Sequence, residues 1–443
     1  MSTTRLETTY DNISSGFYRK EQQFKKQFCH IYASRLSQIS ELLKSKATKK
    51  FGKKYPFKKI SELSEDSPET CIIFGTFFKH QELKPSILKE ISEDNQLVPL
   101  PPRSNYNDES DFLILEDELQ RIRLDGKINV PEMVTGIVGA VLGYIEAAGV
   151  FVVEDFVFYE SGPEIPLKAI NFSPLIVFLS GLDLANVDND SLSLDLFQQW
   201  LYGNLELPTD DDINPVNVVR VVIAGNSIRA SPAKQQKNMS SLTLRTFDTK
   251  DMLSSLKLLD DVLSNMSQSV EVDLMPGEFD PSNHMLPQQP FHHCMFPKSA
   301  VIREFNGVTN PYQFEIEGRL ILGTSGQNID DIKKFSTVED PIECMKNTLK
   351  WSHIAPTCPD TLPCYPYYDE DPFIIKKCPH VYFCAQNDGN IRSENYKNSN
   401  GQTTRLITIP SFQKSQTVAV LNLKTLECKN ICFAINSDSH SEE

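Results

Sequence analysis

The sequence predicts a multidomain α+β protein in which a small closed β-barrel precedes a larger α/β sandwich. Three observations carry this. At 443 residues the chain exceeds what one small core organises, so two or three domains are expected. Five short runs of β-branched and aromatic residues lie between positions 71 and 158. Further along, near-continuous apolar runs alternate with stretches of helical period, and four of those runs end in glycine.

Composition limits the function classes. Hydrophobic residues make up 40% of the chain, with 26 Phe, which excludes disorder over most of its length. A formal net charge of -15 argues against a protein that coats nucleic acid by neutralising phosphates. No signal-peptide core is visible near the start, and no run approaches the ~20 apolar residues of a membrane span, so a soluble intracellular chain without a membrane partner is expected. The ten cysteines are scattered and read as reduced thiols. Cys358, Cys364, Cys378 and Cys384 are separated by five, thirteen and five residues and lack the two-residue knuckle of zinc ribbons, so no metal is expected there.

Residues 1–65 read as a helix followed by a basic segment. Phe24, Phe28, Ile31, Tyr32, Leu36, Ile39 and Leu43 recur at helical spacing over 21–44, giving an amphipathic helix that needs a surface to pack on. Phe24 and Phe28 are candidate partner-interface residues. Lys44, Lys46, Lys49, Lys50, Lys53, Lys54, Lys58 and Lys59 follow without one acid before Glu62. They read as a nuclear localisation signal, a DNA-facing patch or a solvated linker.

Residues 66–165 hold the barrel: CIIFGTFFK (71–79), FLILE (112–116), LQRIRL (119–124), MVTGIVGAVLG (133–143) and GVFVVEDFVF (149–158). A turn at 116–118 joins the second run to the third, and a polar loop over 99–111 separates the first from the second. Five strands of this kind fit an OB-fold barrel. Such barrels often bind single strands through aromatics in a basic groove. Here arginines are few and acids several, so docking of protein is favoured and DNA contact is expected to be indirect or weak.

Residues 166–435 hold the sandwich. PLIVFLSG (174–181), VVRVVIAG (218–225), VEVDLMPG (270–277), RLILGTSG (319–326) and PHVYFCA (379–385) are buried strands, and helical stretches lie at 191–202, 251–266 and 338–351. Strand, glycine-bearing loop and helix in repetition gather the loops at one edge of a sheet, where function normally sits. TTRLITIPSF (403–412) and TVAVLNLKTLECK (417–429) close the domain with antiparallel pairs. Residues 436–443 form an acidic tail expected to be disordered.

Calcineurin-like phosphoesterases carry Asp-x-His, Gly-Asp, Gly-Asn-His-Asp, a lone His and Gly-His-x-His on these loops. Two cations about 3.5 to 4 Å apart need a bridging carboxylate and imidazoles to hold a hydroxide in line with phosphate. In this chain Gly181 and Asp183 stand at the first loop. Asn226 is neutral where the bridging carboxylate belongs. Glu278, Phe279 and Asp280 replace Asn-His-Asp, Ser325 replaces the lone His, and Gln386 and Asp388 replace the last two.

The sequence thus predicts a calcineurin-like, metallophosphatase-like sandwich that is catalytically inactive, with no catalytic residue, metal or cofactor. His292 and His293 follow the third loop and read as surface or packing residues. Two other functions compete with this reading. One is an active metallophosphoesterase using Asp183, Glu278, Asp280, Asp388 and His292. The other is a single-stranded DNA-binding module built on the barrel and the lysines.

Several long stretches occur in order: FLSGLDLA, VVIAGNSI, VDLMPGEFDPSNHMLPQQPFHHCMFP, TNPYQFEIEGRLILGTSGQNIDDI and HIAPTCPDTLPCYPYYDEDPFI. With GIVGAVLGYIEAAGVFVVEDFVF in the barrel, they make the chain resemble the small regulatory B-subunits of replicative family-B DNA polymerases, in their delta branch. The resemblance implies a non-catalytic scaffold subunit of a DNA polymerase delta complex, acting in the nucleus in DNA replication and repair. It implies docking of the cysteine-rich C-terminal domain of the catalytic subunit and of a third polymerase delta subunit, and service to translesion polymerase zeta. A retained docking surface is expected in the Pro- and Tyr-rich insertion over 355–373, with Tyr365, Tyr367, Tyr368 and Phe373 as aromatic anchors. Packing inside the domain is the competing role of these four.

Overall fold

The computed structural model describes residues 5–19, 27–65, 69–85, 103–146, 149–160, 166–186, 192–206, 213–229, 241–386 and 388–434. Phe24, the first part of the 99–111 loop, Asn387 and the 436–443 tail lie outside the described residues.

Strand β1 (Tyr10–Asn12) pairs antiparallel with a strand of the sandwich some 300 residues away in sequence, placing the N-terminal segment on that body. Helix α1 (Cys29–Phe51) comes next. It runs further than the hydrophobic period indicates, through Lys44, Lys46, Lys49 and Lys50, because Leu43, Ala47 and Phe51 continue the buried stripe. Gly52, at φ +88°, ends it.

The basic stretch is therefore not a free linker. Lys46 reaches Glu160 at 3.1 Å, Lys50 reaches Asp155 at 2.6 Å, and Lys58 reaches Glu69 at 2.7 Å.

The barrel comprises β2 (Cys71–His80), β3 (Phe112–Glu116), β4 (Arg121–Gly126), β5 (Val138–Glu146) and β6 (Val150–Phe158), closed in the order β2-β3-β4-β6-β5. Alternation puts Leu113, Leu115, Ile122 and Leu124 inside. The β3–β4 turn forms because the Asp117 carboxylate accepts the N–H groups of Leu119 and Gln120 at 2.8 and 2.7 Å. Leu119, which the sequence places in a strand, is instead the 76% exposed tip of that turn. The run over 133–143 also enters its strand late, at Val138, after a 3-10 turn over Val130–Glu132. The register slips between Leu142 and Gly143, where a Cβ on Gly143 would collide with the Val152 carbonyl.

The sandwich contains β7 (Leu175–Leu179), α2 (Leu192–Leu201), β8 (Val218–Ala224), α3 (Ser241–Ser267), β9 (Glu271–Met275), β10 (Phe305–Gly307), β11 (Tyr312–Ile316), β12 (Arg319–Thr324), α4 (Gln327–Phe335), α5 (Pro341–Trp351), β13 (Val381–Ala385), β14 (Arg392–Lys397), β15 (Thr403–Ile409), β16 (Thr417–Asn422) and β17 (Cys428–Cys432). One six-stranded sheet runs β1-β11-β12-β13-β15-β14 and the other β10-β9-β8-β7-β16-β17. Period two explains the layering. Ile176 and Phe178 pack between the sheets against Val222 and Phe383, while Val177 and Leu179 point to the other face, against Phe197 and Leu263 of the covering helices. Each such side chain contributes roughly 1.5–3 kcal/mol of burial.

Strands β11 and β14 and helix α4 are not marked by apolar runs. β14 is half exposed, and β11 alternates. The 403–409 segment pairs parallel with β13 as well as antiparallel with β14, so it lies inside its sheet rather than closing it. The apolar run over 417–429 is two strands broken by a turn with Leu426 at φ +59°.

Candidate functional site

The loops after β7, β8, β9, β12 and β13 meet at the carboxyl ends of the two sheets. Gly181 N–H donates to Gly225 O at 3.0 Å, Asp183 N–H to Asn226 O at 3.3 Å and Leu184 N–H to Ser227 O at 3.1 Å, which zips the first loop to the second. Asp183 and Asn226 hold left-handed φ of 50° and 56°. A Cβ on Gly277 would collide with the N and Oδ1 of Asn226, and one on Gly225 would sit 2.7 Å from the Ser325 Cβ. Backbone lies directly on backbone at this point.

Asp280 is buried and accepts N–H groups from Gly277 at 2.9 Å, Ile228 at 2.8 Å and Ser227 at 3.2 Å. Burial pushes its carboxyl up to about 6, against the pull of those N–H donors. Its oxygens are thus committed to loop backbone. Asn226 Oδ1 faces Phe279 N–H at 3.4 Å.

Beside them lies a closed set of uncharged side chains. Asn310 Nδ2 donates to Gln288 Oε1 at 2.8 Å and to Gln327 Oε1 at 3.0 Å, and also contacts Ser325 Oγ. Ser325 Oγ donates to Gln327 Oε1 at 2.7 Å, Gln327 Nε2 donates to Gln288 Oε1 at 2.9 Å, and Gln288 Nε2 donates to Gly277 O at 2.9 Å. Sequence reasoning finds Ser325 here and misses Gln288, Asn310 and Gln327. Part of the signal is present, since TNP and SGQN put Asn310 and Gln327 just outside β11 and β12, whereas Gln288 of PQQP lies far from any strand in sequence and reaches the site through its bridge to Asn310.

The structure brings Gly181, Asp183, Asn226, Phe279, Asp280 and Ser325 together. Glu278 is exposed. Gln386 turns back, donating to Ala385 O at 2.8 Å, and Asp388 pairs with Lys414 at 2.6 Å on the surface. The carboxylates and imidazole of the shifted-ligand phosphoesterase do not converge on one point, so that enzyme has no assembled ligand set among the described residues.

A second constellation joins the barrel to the sandwich. Arg35 of α1 pairs with Asp371 of the insertion at 2.6 Å and donates to the carbonyls of Gly136, Pro356 and Cys358 at 3.1, 2.9 and 2.8 Å. His353 Nε2 lies 3.0 Å from Asp371 Oδ2, while its Nδ1 accepts from Ala355 N–H at 3.2 Å. That arrangement suits the neutral ring with its proton on Nε2. Burial first, and the Arg35 charge second, press His353 down to about 4. For Asp371, burial acts upward, but Arg35 and His353 together hold the carboxyl well below the usual range.

Lys79 of β2 adds a further tie. Its ammonium donates to Phe335 O at the end of α4 at 3.0 Å and to Pro131 O at 3.3 Å.

The aromatic candidates divide. Phe373 is fully buried, Tyr365 and Tyr367 pack inward, and Tyr367 meets the Phe373 ring edge-on at 6.3 Å. Phe373 and Tyr365 thus pack within the chain, the competing role expected for them, while Tyr367 is half-buried and lines, with Tyr365, the groove described below. The Arg19 guanidinium lies 4.5 Å from the Tyr365 ring. Tyr368, 49% exposed and beside His30 at 4.4 Å between ring centroids, and Phe28, 43% exposed, remain at the surface. A groove of about 760 Å³ runs between residues 13–19 and 365–377, with Tyr368 on its wall.

The chain thus joins a closed five-stranded barrel to a two-sheet sandwich, and the family comparisons cover both parts. Residues 27–156 match the family described as the DNA polymerase delta OB-fold domain, and residues 176–391 match the B-subunit family of DNA polymerases alpha and epsilon. The chain belongs to the DNA polymerase delta small-subunit family. It is 46% identical over 436 residues to DNA polymerase delta subunit 2 of Drosophila melanogaster, covering 98% of this chain and 100% of that one. Identity is 37% to the DNA polymerase delta small subunit of Oryza sativa (98% and 100% covered) and 31% to that of Saccharomyces cerevisiae (97% and 94%).

Proposed function

We propose that this chain is a non-catalytic scaffold subunit of a nuclear DNA polymerase delta assembly in replication and repair. In this reading it binds the cysteine-rich C-terminal domain of the catalytic subunit, holds a third subunit through the barrel side, and can serve polymerase zeta. The observation that carries the reading is the loop junction. Where a calcineurin-like phosphoesterase would hold its metals, these loops meet in self-satisfied amides and a carboxylate already bonded to three N–H groups.

The residues present do not fit a two-metal centre. Asn226 supplies no charge to keep two dications together, and its side-chain oxygen already packs against Gly277 and faces Phe279 N–H. A fold whose loops are fixed to one another is suited to presenting a rigid surface. Phe28 and Tyr368 are the exposed aromatic anchors of that surface, brought near each other where Tyr368 packs on His30.

The test is reconstitution of the purified chain with the C-terminal domain of its cognate catalytic subunit. A stoichiometric complex weakened about tenfold or more by combined Phe28→Ala and Tyr368→Ala supports the reading and its interface. A complex that forms unchanged refutes the interface, and no complex at micromolar concentration refutes the scaffold.

A further inference from the structure

We propose that His292, His293 and Cys294 form a surface site for a borderline-soft divalent ion, Zn²⁺ by chemical class, with one coordination position left open. Their donor atoms all lie within 4.8 Å of one another, and all three side chains are exposed. Sequence reasoning sets the His-His pair aside because two adjacent histidines are a weak signal. The third donor changes the chemistry. Two imidazoles and a thiolate suit zinc, and they discriminate against magnesium, calcium and manganese, which prefer oxygen.

The three donors sit on a fixed turn. Phe291 and Phe296 flank the tripeptide, both buried, with rings edge to face at 5.6 Å. Met295 N–H donates to His292 O at 2.9 Å and Phe296 N–H to His293 O at 3.1 Å, closing a 3-10 turn over His293–Met295. The backbone therefore supplies its share of the organisation before any ion arrives. Tetrahedral zinc with bonds of about 2.0–2.1 Å to nitrogen and 2.3 Å to sulfur places donors roughly 3.3–3.6 Å apart. Closing from 4.8 Å requires only χ rotations of exposed side chains.

The imidazole rings are stacked, with centroids 4.4 Å apart, which holds the two side chains side by side. Binding has a proton balance. The Cys294 thiol loses its proton to solvent as the sulfur–zinc bond forms. If His292 binds through Nε2, its ring proton moves to Nδ1, and the weak 3.3 Å bond that Nδ1 accepts from Cys294 N–H is lost. Three protein donors leave a fourth position for water or for a donor from a neighbouring chain.

The experiment is titration of full-length protein with Co²⁺ as a spectroscopic substitute, followed by displacement with Zn²⁺. It is run in a Cys29→Ser and Cys432→Ser background, because those thiols are also exposed. The site predicts one cobalt per chain, a thiolate-to-cobalt charge-transfer band, and visible bands strong enough for four-coordination. Cys294→Ser should abolish the charge-transfer band, and His292→Ala or His293→Ala should each weaken zinc about tenfold or more, in the range seen when a site loses support. The far-ultraviolet circular dichroism of each variant should match the parent, since the side chains are exposed. An unchanged band in Cys294→Ser, or no band at stoichiometric cobalt in the parent, overturns the site.

Discussion

Arg35 and Asp371 form an ion pair 2.6 Å long with no exposed surface on either side chain. They lie 336 residues apart in sequence and join the first helix to the insertion of the sandwich. Through Gly136 O the same guanidinium holds the barrel. The φ of +94° at Gly136 and the close approach of the Pro356 carbonyl exclude any side chain at that junction.

Removing one partner of this pair should cost more than removing both. Arg35→Met alone leaves a buried carboxylate facing His353, and a loss of about 3–5 kcal/mol in urea unfolding is expected. Arg35→Met with Asp371→Leu removes both charges and should recover much of that loss. Equal losses in the single and double variants would show that the pair is not the joint.

Stability should fall with acid through His353. Its folded pKa of about 4 lies below the ordinary 6.5, so the unfolded chain takes up a proton that the folded chain refuses. The sign is a loss of stability as pH drops from about 6.5 toward 4, worth roughly 3 kcal/mol at most. Arg35 and Asp371 are the charges that face the ring. Thermal unfolding at stepped pH should show His353→Gln with lower stability at neutral pH and a flatter slope across that window.

The amide network at the loop junction should be brittle. Gln288→Ala leaves Gln327 Nε2 and the Gly277 carbonyl without their buried partner, at a cost of about 1–3 kcal/mol. Gly277→Ala drives a Cβ into the Asn226 backbone and should cost a similar amount or more in denaturant midpoint. Neither change should expose a site for manganese.

Placing a carboxylate at position 226 should not create chemistry. Asn226→Asp places a second carboxylate beside Asp280, whose oxygens already serve three N–H groups. The expected outcome is lower stability and no hydrolysis of bis-p-nitrophenyl phosphate with Mn²⁺, followed as released nitrophenol.

Much of this is legible in the sequence, and the reason is periodicity. The five barrel runs and the five buried strands of the sandwich carry apolar signals strong enough to read individually. Strand β14 (RSENYK) carries none, because its sheet neighbour β15 supplies the burial. The end of α1 is hidden because lysines mask a buried stripe that Ala47 and Phe51 continue. At the loop junction the comparison with the phosphoesterase pattern can be made from sequence, since each position lacks or holds a histidine one residue at a time. What replaces them is not visible, because Gln288, Asn310 and Gln327 meet only through the fold. The aromatic insertion stays ambiguous for the opposite reason: Tyr365, Tyr367 and Phe373 look the same in sequence whether they face a partner or their own core.

In the proposed function the chain acts by assembly rather than catalysis. The most direct measurement is native mass spectrometry of the tagged chain purified from its own cells at low salt, with phosphodiester turnover assayed on the same material. A stoichiometric complex with a DNA polymerase catalytic subunit and a third small subunit, with no manganese-dependent turnover, is expected. A lone monomer that hydrolyses a phosphodiester, with activity lost in Asp280→Ala, would contradict it.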